Sequence, residues 1–237
     1  MAEVAPLKIK PRPGAYARSA ETIELILNAT LKVLTHDGYP ALTLRRVATE
    51  CGITVGNLPY HFPTKEALLT ELLEAALAAY EDRNAATTEA LAVDDRSRLK
   101  LRLLNVLMDI QSFQTTRLFP ELWALANHNP EIADRLQDFY RRARSPTKGI
   151  VQRLNPALAE AEAETLALFF QSFNEGTTIF AGNGKPHASL MPDLAALATE
   201  AFVHLAETAT PEMMHALRGC WGQRPQDHVL GEGAPRS

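Results

Sequence analysis

Residues 43–65 read TLRRVATECGITVGNLPYHFPTK, and this stretch decides the fold of the chain. Thr43 suits a helix N-cap, because its hydroxyl accepts a free backbone N–H group of the first turn. Gly52 stands where helices commonly end in a left-handed conformation that glycine adopts cheaply. The apolar residues between the two recur at helical spacing: Leu44, Val47, Ala48 and Cys51. The segment therefore predicts a short amphipathic helix.

A second short helix is predicted directly after the first. Thr54 is again a good N-cap residue, and Pro63 stops the helix. Thr64 then caps a third helix, with Glu66 placed favourably in its first turn. Two short helices joined by a tight turn form a helix-turn-helix, which fits a helix into the major groove of DNA. A helical hairpin without a DNA role is the alternative, since the same geometry occurs in proteins that bind no DNA.

The segment from about Ser19 to Leu72 resembles the DNA-binding domain of the TetR family of one-component transcription regulators. The match covers less than a quarter of the chain, but its motifs are specific. The shared pattern stands here in three pieces: LTLRRVA at 42–48, GITVGNL at 52–58 and FPTKEAL at 62–68. The resemblance implies a regulator, mostly a repressor in this family, that binds double-stranded DNA.

Pro59 departs from the family pattern, which usually has a tyrosine at this position. Counted from a cap at Thr54, Pro59 is the fifth residue of the recognition helix, where it removes a backbone N–H group and crowds the carbonyl of Val55. We expect a tightened or slightly bent recognition helix. The phosphate contact of the usual tyrosine must be absent or passed to Tyr60.

The resemblance assigns DNA contacts to matching positions. Arg45 matches an arginine that reaches a base edge, where its fork suits guanine. Asn57 is suited to adenine and Val55 to a thymine methyl group. The other predicted contacts are Thr43, Thr54, Gly56, Tyr60, His61 and Lys65. Three alternative interpretations that involve no DNA contact stay open. In these, Arg46 is solvated, Tyr60 is half-buried in the core, and His61 caps local backbone.

The charge of the chain is divided unevenly. The formal net charge is −4, but residues 1–65 hold eight Lys or Arg against five Asp or Glu, a net +3, which leaves −7 for the remainder. The positive end is the end that carries the helix-turn-helix, as attraction to phosphate requires. The basic arm KIKPRP at 8–13 is a candidate for a minor groove, with a solvated, disordered start as the alternative.

Several other classes of protein are disfavoured. There is no run of about eighteen apolar residues and no signal-peptide core, so we expect a cytoplasmic protein without a membrane span. Cys51 and Cys220 make no disulfide framework; Cys51 is interpreted as a small buried hydrophobe, with redox sensing as the alternative. Metal-ligand spacing, phosphate loops and nucleophile elbows are lacking, which predicts no enzyme, no cofactor and no metal site. A helical interaction module that does not bind DNA is the remaining alternative.

The whole chain reads as all-α, with about nine to ten helices. Beyond the motif, the predicted helices are 19–36, 65–89, 95–114, 118–127, 130–154, 156–180, 192–208 and 211–221. The resemblance implies an N-terminal three-helix DNA-binding domain and a C-terminal helical domain for ligand binding and dimerisation. We divide the chain into a disordered basic arm (1–17), a helix-turn-helix domain (18–65), an effector and dimerisation domain (66–210), and a short helix with a disordered tail (211–237).

Two functions are expected of the larger domain. In the family, the last two long helices form a four-helix bundle across a twofold axis, which makes a homodimer. The predicted interface residues are Leu166, Phe169, Phe173, Thr177, Leu194, Leu197, Ala198, Ala201 and Leu205, and intramolecular core is the alternative. An unidentified small-molecule effector is expected in a pocket lined by Phe113, Arg117, Phe119, Trp123, His128, Phe139, Tyr140, Phe170, Gln171 and Asn174. Ordinary core packing is the alternative for each of these residues. An acidic effector bound by Arg141, Arg142 and Arg144 is a further hypothesis, and a solvated helix face is its alternative.

Overall fold

The computed structural model describes Leu7 and residues 17–89 and 94–219. In that part of the chain the fold is helical and holds no strand. The ten α-helices are α1 (Ala17–Asp37), α2 (Leu44–Cys51), α3 (Leu58–His61), α4 (Lys65–Glu89), α5 (Asp95–Ile110), α6 (Phe113–Ala126), α7 (Pro130–Leu154), α8 (Glu160–Ala181), α9 (Met191–Thr208) and α10 (Pro211–Gly219). Short 3₁₀ turns at Tyr39–Ala41 and Ala188–Leu190 precede α2 and α9.

The predicted limits of the first motif helix are confirmed. The Thr43 hydroxyl accepts a 3.1 Å hydrogen bond from the backbone nitrogen of Arg46. Gly52 ends α2 with φ of 71°, and its N–H group donates to carbonyls of the last turn. The Thr64 hydroxyl likewise accepts from the nitrogen of Ala67 at 3.1 Å at the start of α4. These contacts satisfy backbone donors that a helix end leaves free.

The start of the recognition helix was predicted wrongly. The α-helix begins at Leu58, with Asn57 in the N-cap position, and not after a cap at Thr54. The preceding residues form a turn in which the nitrogen of Asn57 donates to the carbonyl of Thr54 at 3.0 Å. Pro59 is consequently the second helical residue, where no backbone N–H group is needed. The proline shortens the α-helix instead of bending it.

Three further boundaries differ from prediction because polar side chains and turns end the periodic pattern. The helix predicted to reach residue 114 stops at Ile110, where tight turns follow, and the Ser112 hydroxyl caps α6 by accepting from the nitrogen of Thr115 at 3.1 Å. Helix α6 therefore starts at Phe113 rather than 118. Helix α8 starts at Glu160 rather than 156, since the nitrogen of Leu158 donates to the carbonyl of Asn155 in a turn.

Two apolar cores hold the described chain together. The first joins α1–α4 to α6 and the first half of α7, through residues such as Leu27, Leu72, Phe119 and Phe139. The second lies between α5, the end of α7, α8 and α9, around Phe170 and Phe202, whose rings stack at 4.4 Å. The DNA-binding helices thus share a core with the larger domain. No helix of the described residues is long and apolar enough to cross a membrane.

Leu7 is fixed to α1 although it falls in the predicted disordered arm. Its side chain is buried in the first core. Its backbone nitrogen donates to Oδ1 of Asn28 at 2.7 Å, and Nδ2 of Asn28 donates to the Leu7 carbonyl at 3.1 Å. The prediction of disorder is therefore wrong at Leu7, while the other residues of 1–16 and the tail after Gly219 lie outside the described residues.

Candidate DNA interface and effector cavity

The turn and helix predicted to contact DNA form an exposed surface. Thr54, Val55, Gly56 and Asn57 are all exposed, and Leu58 alone turns inward to the core. Tyr60 is 88% exposed, with its ring edge-on to that of His61. The half-core reading of Tyr60 is therefore wrong. A side chain of this size projecting into solvent from a stable core is typical of a binding surface.

The neighbouring arginines of α2 differ in their partners. Arg46 makes ion pairs with Glu50 at 2.7 Å and Asp37 at 3.0 Å, and Lys32 also pairs with Glu50. Hydrogen bonds from Lys32 and then Arg46 lower the pKa of Glu50. In the described chain no carboxylate pairs with Arg45, which is exposed. The free guanidinium available to DNA on this helix is therefore that of Arg45, and Arg46 belongs to a surface network instead of being merely solvated.

Lys65 is less available than a phosphate contact suggests. Its Nζ lies 3.6 Å from the centre of the Tyr39 ring and donates to the Tyr39 carbonyl at 3.3 Å. Burial lowers its pKa, which Glu66 opposes. A cation over an aromatic face is stabilised where it stands. Lys65 therefore links α4 to the turn before α2, as well as lying next to the predicted phosphate-facing residues.

A cavity of about 690 Å³ lies inside the larger domain. Its walls come from α4, α5, α6, α7 and α8. Six predicted pocket residues line it: Phe119, Phe139, Tyr140, Phe170, Gln171 and Asn174. This volume is in the range of pockets that hold small molecules. The sequence reasoning missed Tyr80, Arg102 and Glu175, which also line the cavity.

The other four predicted pocket residues lie outside the cavity lining. Phe113 starts α6 and its ring lies 4.9 Å from that of His36 on α1, while Arg117 lies over the Phe113 ring and is exposed. Trp123 stands behind the wall, where its Nε1 donates to the Tyr140 hydroxyl at 2.6 Å. His128 is exposed in the turn after α6. These side chains contact neighbouring rings or solvent instead of the cavity.

A signal for the missed residues was present in the sequence. Arg102 follows Leu99 by three residues and precedes Val106 by four, so it falls on the apolar face of α5. Glu175 belongs to a polar stripe of α8 that runs from Gln171 through Asn174 to Thr178. Charged or polar residues on a buried helix face commonly mark a functional site.

Glu175 is an unusual acid. Burial raises its pKa to about 7, although a hydrogen bond with Tyr140 acts in the opposite direction. The same surroundings raise the pKa of the Tyr140 phenol, chiefly through burial. Glu175 therefore titrates near neutral pH at the cavity wall.

The helices predicted to form a dimer expose an apolar face. Phe169 is 52% exposed and Leu197 is 71% exposed, and Ala201 is exposed beside them. Leu166, Thr177 and Ala198 are buried inside the protomer instead, because they share the inward stripe of their helices with Phe170 and Phe202. Phe173, Leu194 and Leu205 are half-buried. We define the outer face of α8 and α9 by its exposed large apolar residues: Leu168, Phe169, Ile179, Phe180 and Leu197.

The cysteine of the motif, Cys51, is a half-buried free thiol. Burial raises the pKa of the Cys51 thiol to about 11. A thiol in that state holds very little of the thiolate that reacts. The described residues also hold no group of three or more His, Cys, Asp or Glu side chains arranged to bind a metal ion.

Two family models match the chain. The model described as bacterial regulatory proteins of the TetR family matches residues 26–72, and the C-terminal model of BetI-type transcriptional repressors matches residues 95–206. Together the matches cover about two thirds of the chain. This chain belongs to the TetR family. It is a helix-turn-helix transcriptional regulator, and proteins of this family are regulators and not enzymes.

Similar regulators are found in several bacteria. A curated regulator from the dhlA 5′ region of Xanthobacter autotrophicus is 25% identical over 147 residues, which are 61% of this chain and 71% of that protein. UidR of Escherichia coli K12 is 25% identical over 141 residues, 58% of this chain and 66% of UidR.

The fold of this TetR-family chain is also found in solved structures. A regulator from Saccharomonospora viridis in complex with choline is 22% identical, with a TM-score of 0.67 over 78% of this chain and 97% of that one. A TetR-family regulator from Mesorhizobium loti is 18% identical, with a TM-score of 0.66 over 80% of this chain and 98% of that one. Regulators of the family bind DNA and small-molecule effectors and are dimeric.

Proposed function

We propose that two copies of this chain bind a palindromic DNA operator as a repressor, and that a small molecule in the cavity releases it. The observation that carries the proposal is the exposed row from Thr54 to Asn57, together with the exposed Arg45, which pairs with no carboxylate of the described residues. The row is short and rigid, because Leu58 anchors it in the core and Gly52 fixes the preceding turn. We assign the base contacts to Arg45, Val55, Gly56 and Asn57. Thr43, Thr54, Tyr60, His61 and Lys65 are proposed to contact phosphates.

Dimerisation through the outer face of α8 and α9 supports palindrome recognition. One helix-turn-helix contacts too little DNA for a single site, whereas two recognition helices held about 34–36 Å apart read two half-sites. Exposed apolar residues such as Phe169, Phe180 and Leu197 favour burial against a second copy. Because the operator lies on bacterial DNA, we place the regulator in the cytoplasm.

Helix α4 offers a direct route from the cavity to the DNA-binding helices. It begins at Lys65, with three residues between it and the recognition helix, and carries Tyr80 in the cavity wall. The Tyr80 ring packs edge-on against Phe119 at 5.7 Å and Phe139 at 5.6 Å. We propose that a ligand entering between these rings displaces Tyr80 and shifts α4 with it. Operator affinity then falls by the ratio of the ligand's affinities for the displaced arrangement of α4 and for the arrangement that binds DNA.

Footprinting of the purified protein on the DNA upstream of its own gene tests the proposal. We expect a protected site with two related half-sites, two protomers per site by light scattering, and binding that weakens steeply with salt. The protein should bind a fragment of that region more tightly than unrelated DNA of the same length at about 0.15 M salt. Absence of any such preference rejects the operator hypothesis. It would favour instead the interaction module that does not bind DNA.

A further inference from the structure

Five arginines line the cavity, and four of them already have an acidic partner. Nη1 of Arg98 lies 3.1 Å from Asp95, and Nη2 of Arg153 lies 2.7 Å from the same residue. Arg144 is paired with Glu164 at 2.6 Å. Arg142 is paired with Asp138 at 3.0 Å. These four arginines share three carboxylates, so each has an acidic partner before any ligand enters.

Arg102 is the exception. Its Nε donates to Oγ1 of Thr147 at 3.2 Å and its Nη2 donates to the carbonyl of Ala143 at 3.0 Å. Both acceptors are neutral, and in the described part of the chain no carboxylate pairs with Arg102. Burial lowers its pKa, yet a guanidinium remains charged in a protein. A largely buried cation without a counter-ion is costly, so its retention in a cavity wall calls for an anion supplied from outside.

A second polar group in the lining lacks a partner. Asn174 of α8 is only 7% exposed, and its Oδ1 accepts no hydrogen bond from the described residues. An amide oxygen accepts and does not donate, so it needs a donor from a ligand or a water. Glu175, next in the chain, also lines the cavity and has no basic partner in the described chain. The remaining wall is largely apolar, with Leu103, Val106, Ile110, Phe119 and Phe170.

We propose that the effector of this regulator is an organic carboxylate with an apolar body and a hydrogen-bond donor at its far end. Its carboxylate pairs with Arg102, where a guanidinium offers two parallel hydrogen bonds. Its body lies against the apolar wall, and its donor meets Oδ1 of Asn174. The inference rests on the proposed function and specifies the ligand of that same cavity.

The cations of the cavity argue against an organic cation as the ligand. Choline, which the Saccharomonospora viridis regulator holds, carries a quaternary ammonium and no anionic group. Here it would enter a lining in which Arg102, which pairs with no carboxylate of the described residues, would stay without a counter-ion. The lining of this chain therefore selects a ligand of opposite charge.

Thermal unfolding of the purified protein with matched probes tests this class without any DNA. A cavity of about 690 Å³ suits ω-hydroxyalkanoates of about four to twelve carbon atoms, which present a carboxylate and a hydroxyl at increasing separation. The matched probes are the corresponding ω-hydroxyalkanamides, which lose only the charge, and choline chloride. We expect at least one carboxylate, at a hundred times its Kd, to raise Tm by about 5 to 10 °C. Its amide should bind roughly tenfold to a hundredfold more weakly.

Three variants connect the preference to Arg102. Arg102→Gln should abolish the preference for carboxylate over amide, and Arg102→Lys should keep part of it because the charge remains. Arg141→Gln should keep the preference, since Arg141 lies outside the cavity lining and pairs with Asp138. Should Arg102→Gln not fold, the lysine variant must still bind the carboxylate more weakly than the wild type does.

Any of three results overturns the proposal. No carboxylate binds more tightly than its amide, the preference for carboxylate over amide survives Arg102→Gln, or choline raises Tm while the carboxylates do not. None of these touches operator binding, which is measured without ligand. Loss of the proposed function would show as absent operator binding, whatever the thermal shifts are.

Discussion

The backbone nitrogen of Tyr39 donates a 3.0 Å hydrogen bond to Oε2 of Glu121. Tyr39 stands in the turn before α2, and Glu121 lies on α6, two residues after the cavity residue Phe119. Lys65 at the start of α4 lies over the ring of the same tyrosine. The entrance to the helix-turn-helix is thus held between the helix that leaves it and a helix of the cavity wall.

Loss of the Glu121 carboxylate should loosen this joint. We expect Glu121→Ala to lower the free energy of unfolding by about 1 to 3 kcal/mol, because a charged acceptor of a backbone donor is removed. Glu121→Gln keeps an acceptor oxygen at the same place and should lose less than half as much. Urea denaturation followed by circular dichroism gives both values, and equal losses for the two variants would show that this hydrogen bond is not the cause.

Arg45 and Arg46 form a matched pair for DNA binding. Arg45→Ala should weaken specific operator binding roughly tenfold to a hundredfold, because the guanidinium that we propose to contact a base is lost. Arg46→Ala should change it less than about threefold, since Asp37 and Glu50 already neutralise that charge. Fluorescence anisotropy at fixed salt measures both variants. A larger effect at Arg46 would reverse our assignment of the two residues.

Pro59 offers a test of the recognition helix. Because it is the second residue of α3 and exposed, Pro59→Tyr should be tolerated and should raise operator affinity severalfold through a new phosphate contact. The slope of affinity against salt should stay unchanged, since tyrosine adds no charge. Pro59→Ala is the control: it should alter stability by less than about 1 kcal/mol and leave affinity as it is. A large loss of binding in either variant would mean that the proline itself shapes the contact surface.

The dimer face is tested by a charge placed at its most exposed apolar residue. Leu197→Arg should convert the dimer to a monomer in light scattering and lower operator affinity at least about tenfold. Met108→Arg is the control, since Met108 on α5 is 68% exposed but lies off the outer face of α8 and α9. A dimer that survives Leu197→Arg and dissociates with Met108→Arg would move the interface to α5.

Glu175 should make stability depend on pH. Its pKa is about 7 in the folded protein, against 4.5 as the ordinary value. The folded state therefore binds the proton of the Glu175 carboxyl more tightly than the unfolded state does. The stabilisation that this proton gives is complete below about pH 4.5 and is lost as pH rises through about 7. Replacement by Gln removes this loss. The free energy of unfolding of Glu175→Gln should therefore exceed that of the wild type at pH 8 by roughly 2 to 3 kcal/mol. The comparison needs unfolding curves of both proteins at pH 5 and pH 8, and a difference independent of pH would contradict it.

The extent of what the sequence can reveal is clearest at the motif. The caps at Thr43 and Thr64 and the left-handed end at Gly52 were predictable, because each depends on a residue and its near neighbours. The register of the recognition helix was also predictable from a local signal, but it was predicted wrongly. Pro59 lacks an N–H group, and that places it in the first turn of a helix rather than in its fifth position.

The sequence by itself determined the helical class, the helix-turn-helix and the family, since periodicity, caps and motifs are properties of short segments. The tertiary structure alone decided which faces of α8 point inward, so that Leu166 packs in the core while Phe169 remains for a partner. It also brought Tyr80, Arg102 and Glu175 around one cavity from three helices distant in the chain. The environment of a side chain depends on packing between such helices. The role of a charged residue on an apolar helix face is therefore known only when the residues on the opposite wall of the cavity are known.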